Sequence, residues 1–360
     1  MKNFWLLFIF LIPAISYSQD NKYYDFLEEL YFERQASPRA EAMGTGLAAD
    51  NQNDFGALYN PALTSLEQGL KVNVSSSDKP RDYRNGDYSS YNVSYNLKNI
   101  GSFGFSRYSF KFNETYYYGS GYLTGENLRH TIYTVNYSRE IFKDFFAGIN
   151  INRVTPNALS PGGLVNESEY PIDIGLLKRF VISDSANKIS HIVQLAGSLY
   201  NLNNVVYKYT HPSGYTDEYS LPTMARVAAS FNAVFHNNKF IKELNLFSLF
   251  FHVEYENTLN SMLRQNLKAG AEIAIMDILF FRAGALSFDD ANENYWYEDY
   301  SYSKRGGLSY GGGVKIPLNL IFKLKTPASI GVDYAKLKLD KYGSRHFESI
   351  AVKLNYVPNF

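Results

Sequence analysis

Apolar and polar positions along this chain alternate with period two, the side-chain spacing of a β-strand. The clearest run closes the chain. Ile350, Val352, Leu354, Tyr356, Pro358 and Phe360 fall on one side, while Ser349, Ala351, Lys353, Asn355 and Asn359 fall on the other. The pattern recurs where Tyr91, Val93, Tyr95 and Leu97 oppose Asn92, Ser94, Asn96 and Lys98, and where Tyr133, Val135 and Tyr137 oppose Thr134, Asn136 and Ser138. It appears again at Val227–Phe235 and at Leu249–Tyr255. One side is apolar or aromatic each time; the other is small, polar or charged. A soluble sheet buries its apolar side in a core, whereas a membrane barrel turns it to lipid and keeps the polar side in the lumen.

Connection lengths favour the barrel. A terminal alternating strand closing on Phe is the usual mark of outer-membrane barrels. Counting back from it, strand 346–360 descends to the periplasm and 339–345 forms an outer loop. Strand 328–338 rises from a turn near 317–327, and 307–316 descends. The acidic, Tyr-rich stretch 287–306 then falls outside, and strand 278–286 rises from a tight turn at Met276-Asp277. Further outer loops are expected at 154–170 and 202–222. Short turns thus alternate with long loops, as in such barrels. The expectation is an all-β fold, a transmembrane antiparallel barrel of about 14 strands within a range of about 12 to 16.

Helical spans are not expected after Gln19. A spanning helix needs about 20 apolar residues, and the best candidate, Ile273–Leu286, is interrupted by Asp277 and Arg282. The N-terminus has the form of an export signal. Lys2 precedes a twelve-residue apolar run, Phe4–Ile15, and Ser16-Tyr17-Ser18 supplies small residues before a cleavage position near Ser18. This divides the chain into a signal peptide at 1–18, an N-terminal helix and lumenal hatch at 19–68, and a barrel at 69–360. Asp25–Arg34 has helical spacing, and Gly44, Gly46 and the Ala-rich run before Asn60-Pro61-Ala62 suit a compact plug. Zero net charge offers no basic surface for nucleic acid. The absence of Cys leaves stability to the backbone ladder and packing.

Within the hatch, Ser37-Pro38-Arg39-Ala40-Glu41-Ala42-Met43-Gly44, Ala48-Ala49-Asp50 and Tyr59-Asn60-Pro61-Ala62-Leu63 resemble the N-terminal signature of FadL-like barrels, most closely the PorV/PorQ group of Bacteroidetes. Leu221-Pro222 with Arg226 resembles a mid-barrel motif of that group. Gly270-Ala271-Glu272 with Phe281-Arg282-Ala283-Gly284 resembles a hairpin, and Val332-Asp333-Tyr334-Ala335 with Gly343-Ser344-Arg345-His346 resembles the closing strands. Leu63 departs from the pattern, since relatives usually carry Gly after Asn-Pro-Ala. The resemblance implies a plugged barrel in the outer membrane of a Gram-negative cell, with Arg39, Met43, Gly44, Asn60, Pro61 and Ala62 as hatch residues. It implies one of two roles: service to the type IX secretion system, with a translocon or cargo protein as partner, or uptake of hydrophobic small molecules. The secretion role is the one expected here, on the resemblance alone; the Tyr-rich outer loop, with its interface anchors, suits it. Outer-membrane lipid is the expected surrounding in either case.

Candidate chemistry lies in inward-parity charges. A turn centred on Asp277 sets Glu272 opposite Arg282, and Asp333 and Lys353 share inward parity on neighbouring strands. Either pair could gate or hold the hatch, but mutual neutralisation of desolvated charge is the expected role, because an unpaired buried charge costs far more than a pair contributes. Outward-parity Glu348 is expected near an interface. Among six histidines only His252, beside Glu254, hints at a base with an acidic partner, and no Gly-x-Ser-x-Gly nucleophile motif is present. Neither a catalytic site, a metal site nor a cofactor is expected. The Gly311-Gly312-Gly313 run reads as a bend or a close approach of the hatch, or as the kinked strand a lateral opening would need.

Overall fold

The computed structural model describes residues 35–358 apart from 51–53, 67, 79–85, 119–120, 156–157, 161–162, 166–167, 185–188, 211–215, 237–243, 260–264, 293–300 and 340–345. The expected signal peptide, the helix at Asp25–Arg34 and the terminal Phe360 lie outside the described residues. In chain order the helices are α1 (Pro38–Ala42), α2 (Gly56–Tyr59) and α3 (Leu318–Ile321), with a 3₁₀ turn at Pro61–Leu66. The strands are β1 (Leu70–Asp78), β2 (Gly86–Leu97), β3 (Gly101–Tyr118), β4 (Gly121–Phe142), β5 (Phe145–Thr155), β6 (Ala158–Ser160), β7 (Gly163–Val165), β8 (Ile172–Asp184) and β9 (Ile189–Tyr200). They continue as β10 (Val206–Thr210), β11 (Thr216–Ser220), β12 (Met224–His236), β13 (Asn245–Thr258), β14 (Gln265–Ile275), β15 (Leu279–Asn292), β16 (Ser301–Pro317), β17 (Ala328–Leu339) and β18 (His346–Tyr356).

Fourteen of these strands form one closed antiparallel barrel, sealed where β1 pairs with β18. Hairpins β6–β7 and β10–β11 stand apart, inside the expected outer loops. Alternation in sequence becomes alternation in space. Val93, Phe105, Val135 and Ile151 are register partners on four successive strands, and all four are exposed on the outer wall. Asn92, Ser106, Thr134 and Asn152 form the neighbouring inward row, and all four are buried. On β18, Ile350, Val352 and Leu354 are likewise exposed while Ser349 and Ala351 are buried. A continuous apolar outside around a polar interior is the inversion a lipid-spanning barrel requires. No helix among the described residues is long and apolar enough to cross a membrane.

Turns at one end are tight. Residues 98–100, 143–144 and 276–278 each join two strands, with Asn99, Asp144, Met276 and Asp277 at positive φ. Asn and Asp tolerate that region well. The Asp277 carboxylate also accepts hydrogen bonds from the Asn245 backbone (3.1 Å) and side chain (2.8 Å), tying the turn to β13. By the usual asymmetry this is the periplasmic end.

At the opposite end the ladder outlasts the expected strands. β15 and β16 pair as far as Asn292 and Ser301, so much of 287–306 is strand rather than loop. The backbone ladder continues there although the period-two signal in the sequence fades. The glycine run offers no lateral opening: β16 pairs with β15 and β17 without a register break across Gly311–Gly313.

Candidate functional site: the hatch and its chambers

The described residues between 35 and 66 pack against the inward faces of the strands. Ala40, Ala42, Met43, Leu47, Phe55 and Ala62 are wholly buried. The Ser37 hydroxyl caps α1 by accepting from the Ala40 amide, with Pro38 in the first turn where its missing N–H costs nothing. Such short helices leave most backbone groups without internal partners, and inside a barrel the wall must supply them. It does so with inward-facing amides and hydroxyls. Asn92 donates to Asp54 O (3.0 Å), Asn136 to Pro61 O (3.0 Å), Asn150 to Ala57 O (2.8 Å) and Ser230 to Ala49 O (2.6 Å).

Asn60 works in both directions. Its amide nitrogen donates to Ala48 O and Leu176 O, both at 3.1 Å, while its oxygen accepts from Ala62 N at 3.0 Å. Pro61 lies against Gly148 and Gly175, where any side chain would collide with the hatch backbone. Leu63 enters the 3₁₀ turn with its amide bonded to Asn60 O at 3.0 Å, and it is buried. That geometry needs no glycine.

Met43 and Gly44 rest on the β14–β15 hairpin. Gly270 and Gly284 are register partners there, and a Cβ on either would strike Met43. Gly44 itself has φ +75°, and its Cβ would fall on the carbonyls of Ala285 and Ala269. His252 Nε2 meets Met43 O at 2.8 Å, and Glu254 accepts from Ala48 N at 2.8 Å. The one base-and-acid pair in the sequence therefore serves as hatch contacts.

A line of buried charges starts and ends in the hatch. Arg39 pairs with Asp50 and grips Glu272 with two bonds of 2.9 Å. Glu272 and Arg282 are register partners joined at 2.6 Å. Arg282 reaches Asp333 at 2.7 Å, Asp333 meets Lys353 at 2.5 Å, and Lys353 returns to Asp54 at 3.1 Å. The glycine run now has a reason. Arg282 lies on β15 and Asp333 on β17, with Gly311 and Gly313 as their partners on the intervening β16. A side chain at Gly313 would occupy the position of the Asp333 carboxylate, and one at Gly311 would press on Ala42 of α1.

A second buried cluster joins Arg226 to Glu256 (2.5 Å) and Lys268 to Glu256 (3.0 Å) and Glu254 (3.3 Å). Arg226 also donates to Tyr200 OH at 2.8 Å and to the carbonyls of Leu58 and Tyr59. The sequence reading singled out Arg226 without its partners. Glu254 and Lys268 are opposed in register, but the 259–264 connection contains no turn signal from which that opposition could be derived. Outward Glu348 pairs with Lys336 at 3.0 Å at the outer end of β18.

The hatch separates two chambers. On its outer side is a cavity of about 60 Å³ bounded by Ala36, Leu58, Tyr59, Tyr108, Ile132 and Met224. Charged groups in its wall are occupied elsewhere: Asp173 accepts from Asn150, Asn152 and the Asn201 amide, and Arg226 is held as described. On the periplasmic side is a wetter vestibule of about 300 Å³, with Lys71, Lys315, Lys353, Asp277, Asn73 and Asn355 in its lining.

No protein-family model matches the sequence, and no curated protein matches it. Among solved structures the chain is similar to the CymD monoaromatic hydrocarbon channel, at 12% identity over 90% of this chain and 97% of that one, with a TM-score of 0.41. It is similar to the Pseudomonas putida toluene transporter TodX at 10% identity, over 92% and 100% of the two chains, with a TM-score of 0.44. A Pseudomonas aeruginosa FadL homologue stands at 11% identity, 90% and 98% coverage and a TM-score of 0.44. At such values the strand count, the hatch and the chambers rest on this chain's own geometry.

Proposed function

We propose that this protein is a hatch-plugged channel of the outer membrane that admits small apolar molecules from outside. The observation that carries this reading is the cavity above the hatch. Here two tyrosine rings, Ile132, Leu58 and Met224 face a space whose charged neighbours, Asp173 and Arg226, are already bonded. A concave apolar site with few free polar groups is what an apolar ligand needs. Passage then requires the hatch to shift, since it lies between this cavity and the periplasmic vestibule. The secretion role draws its support from the sequence resemblance alone.

The test is ligand binding by the reconstituted protein, using a graded set of aromatic and aliphatic hydrocarbons followed by intrinsic fluorescence and calorimetry. Ile132→Trp fills the cavity and is expected to weaken binding at least about tenfold, the loss of roughly one good apolar contact. Equal binding by the filled variant and the parent overturns the proposal, as does binding of polar solutes of similar size with equal strength.

A further inference from the structure

The outer wall of β3–β5 carries charge where the apolar belt ends. Directly beyond the apolar row that includes Phe105 and Val135, the next outward row reads Tyr91, Arg107, Tyr133, Arg153. Beyond it lies a row of small side chains that includes the buried Ser109 and Thr131, and beyond that Lys111 stands opposite Arg129. Four cations on three adjacent strands thus bracket a trough of small residues. No acidic side chain among the described residues is within ion-pair distance of any of the four. Asp87, the register partner of Lys111, is the acid in these rows.

Arg107 is the central member. Its guanidinium lies over the rings of Tyr91 and Tyr133, 5.8 and 5.9 Å from their centroids, and its Nε is sealed from solvent without a hydrogen-bond partner. The rings remove water from one side of the cation, so an anion at its free edge is attracted more strongly than in bulk solvent. Beside it, Arg153 and Thr155 both bond Ser168, at 3.1 and 2.8 Å, which steadies that end of the trough.

A charge on the lipid-facing wall is costly at mid-bilayer and nearly free at the interface, where long side chains turn toward the headgroups. Without a protein counter-charge among the described residues, these four cations are suited to an anion from the membrane. Guanidinium forks match phosphate in a two-point geometry. We infer that the outer rim of β3–β5 is a binding site for the phosphorylated headgroup of an outer-leaflet lipid, with Arg107, Lys111, Arg129 and Arg153 as its cationic ligands.

The experiment is native mass spectrometry of the full chain released from micelles doped with diphosphorylated lipid A, its dephosphorylated form, or inorganic phosphate. The parent is expected to retain the diphosphorylated lipid and not the dephosphorylated one. Arg107→Gln with Arg129→Gln is expected to lower the apparent affinity at least about tenfold, the scale of losing one charge-assisted contact. Arg153→Gln, at an exposed position, is expected to weaken retention alone with no effect on folding. Lys336→Gln, on β17 and paired with Glu348, is expected to change nothing. Equal retention of the dephosphorylated lipid, unchanged retention in both site variants, or an equal loss in Lys336→Gln overturns the inference. So does displacement of the lipid by inorganic phosphate at equal concentration, which would identify a site for free anion.

Discussion

Single residues attach the hatch, and their energetics are those of buried charge. Glu272 faces two guanidinium groups and is itself sealed from solvent. Removing one member of a buried pair commonly costs about 3–5 kcal/mol, because the remaining charge is left uncompensated. Arg39 keeps Asp50 and Arg282 keeps Asp333, so Glu272→Gln should fall near the lower end, about 3 kcal/mol. The loss should appear locally. Amides of 38–50 are expected to exchange faster in Glu272→Gln than in the parent, with β-ladder amides unchanged; equal protection in both proteins would rule out this attachment. Tyr59 supplies a neutral contact of the same kind: its hydroxyl accepts from Ser37 N at 3.2 Å, and burial pushes its pKa far above the usual tyrosine value.

Elements meet in this protein through the absence of side chains. Gly270, Gly284, Gly148 and Gly175 are wall positions where hatch backbone touches strand backbone, and only a residue without Cβ allows that approach. Gly44 adds a positive φ on the hatch side. Gly44→Ala is therefore expected to destabilise the folded protein by about 2 kcal/mol or more, from left-handed strain and overpacking together. Gly104→Ala makes the contrast, since its new methyl meets Asn136 and Thr64 at ordinary contact distance and should be near neutral. Urea unfolding in lipid vesicles measures both, and equal midpoints for the two variants would contradict the close-approach argument. The glycine run of β16 read in the sequence as a bend or a close approach of the hatch, and Gly311 does lie against Ala42, but that Gly313 accommodates a charge pair was not legible. Gly313 makes room for a bond between residues of its two neighbouring strands, a relation with no local signature.

At the scale of the whole molecule, the barrel is a polar tube closed by its own N-terminal segment. Inward asparagines, serines and charges that bond the hatch would otherwise face water, so deletion of 35–66 is expected to leave a conducting pore. Planar-bilayer recordings should show a large steady conductance for the deletion and little for the full chain; similar conductance in both would mean that the hatch does not seal the lumen. Period two, short inner turns and outward apolar residues were readable from the sequence, because lipid imposes the same demand on every strand and repeats it along the chain. Among the inward charges the hairpin pair Glu272 and Arg282 was readable from the turn at Asp277, but the wall-to-hatch partners followed no such rule. Arg39 and Glu272 are separated by 233 positions, and the outer cavity takes its lining from the hatch and from several strands. The sequence by itself determined that a barrel forms and which face of each strand meets lipid, since both follow from alternation along one strand. Barrel closure alone decided which polar residue meets which hatch carbonyl, where a small apolar space remains, and that Gly313 makes room for the Arg282–Asp333 pair. Those relations depend on distances across the lumen, and no local pattern encodes them.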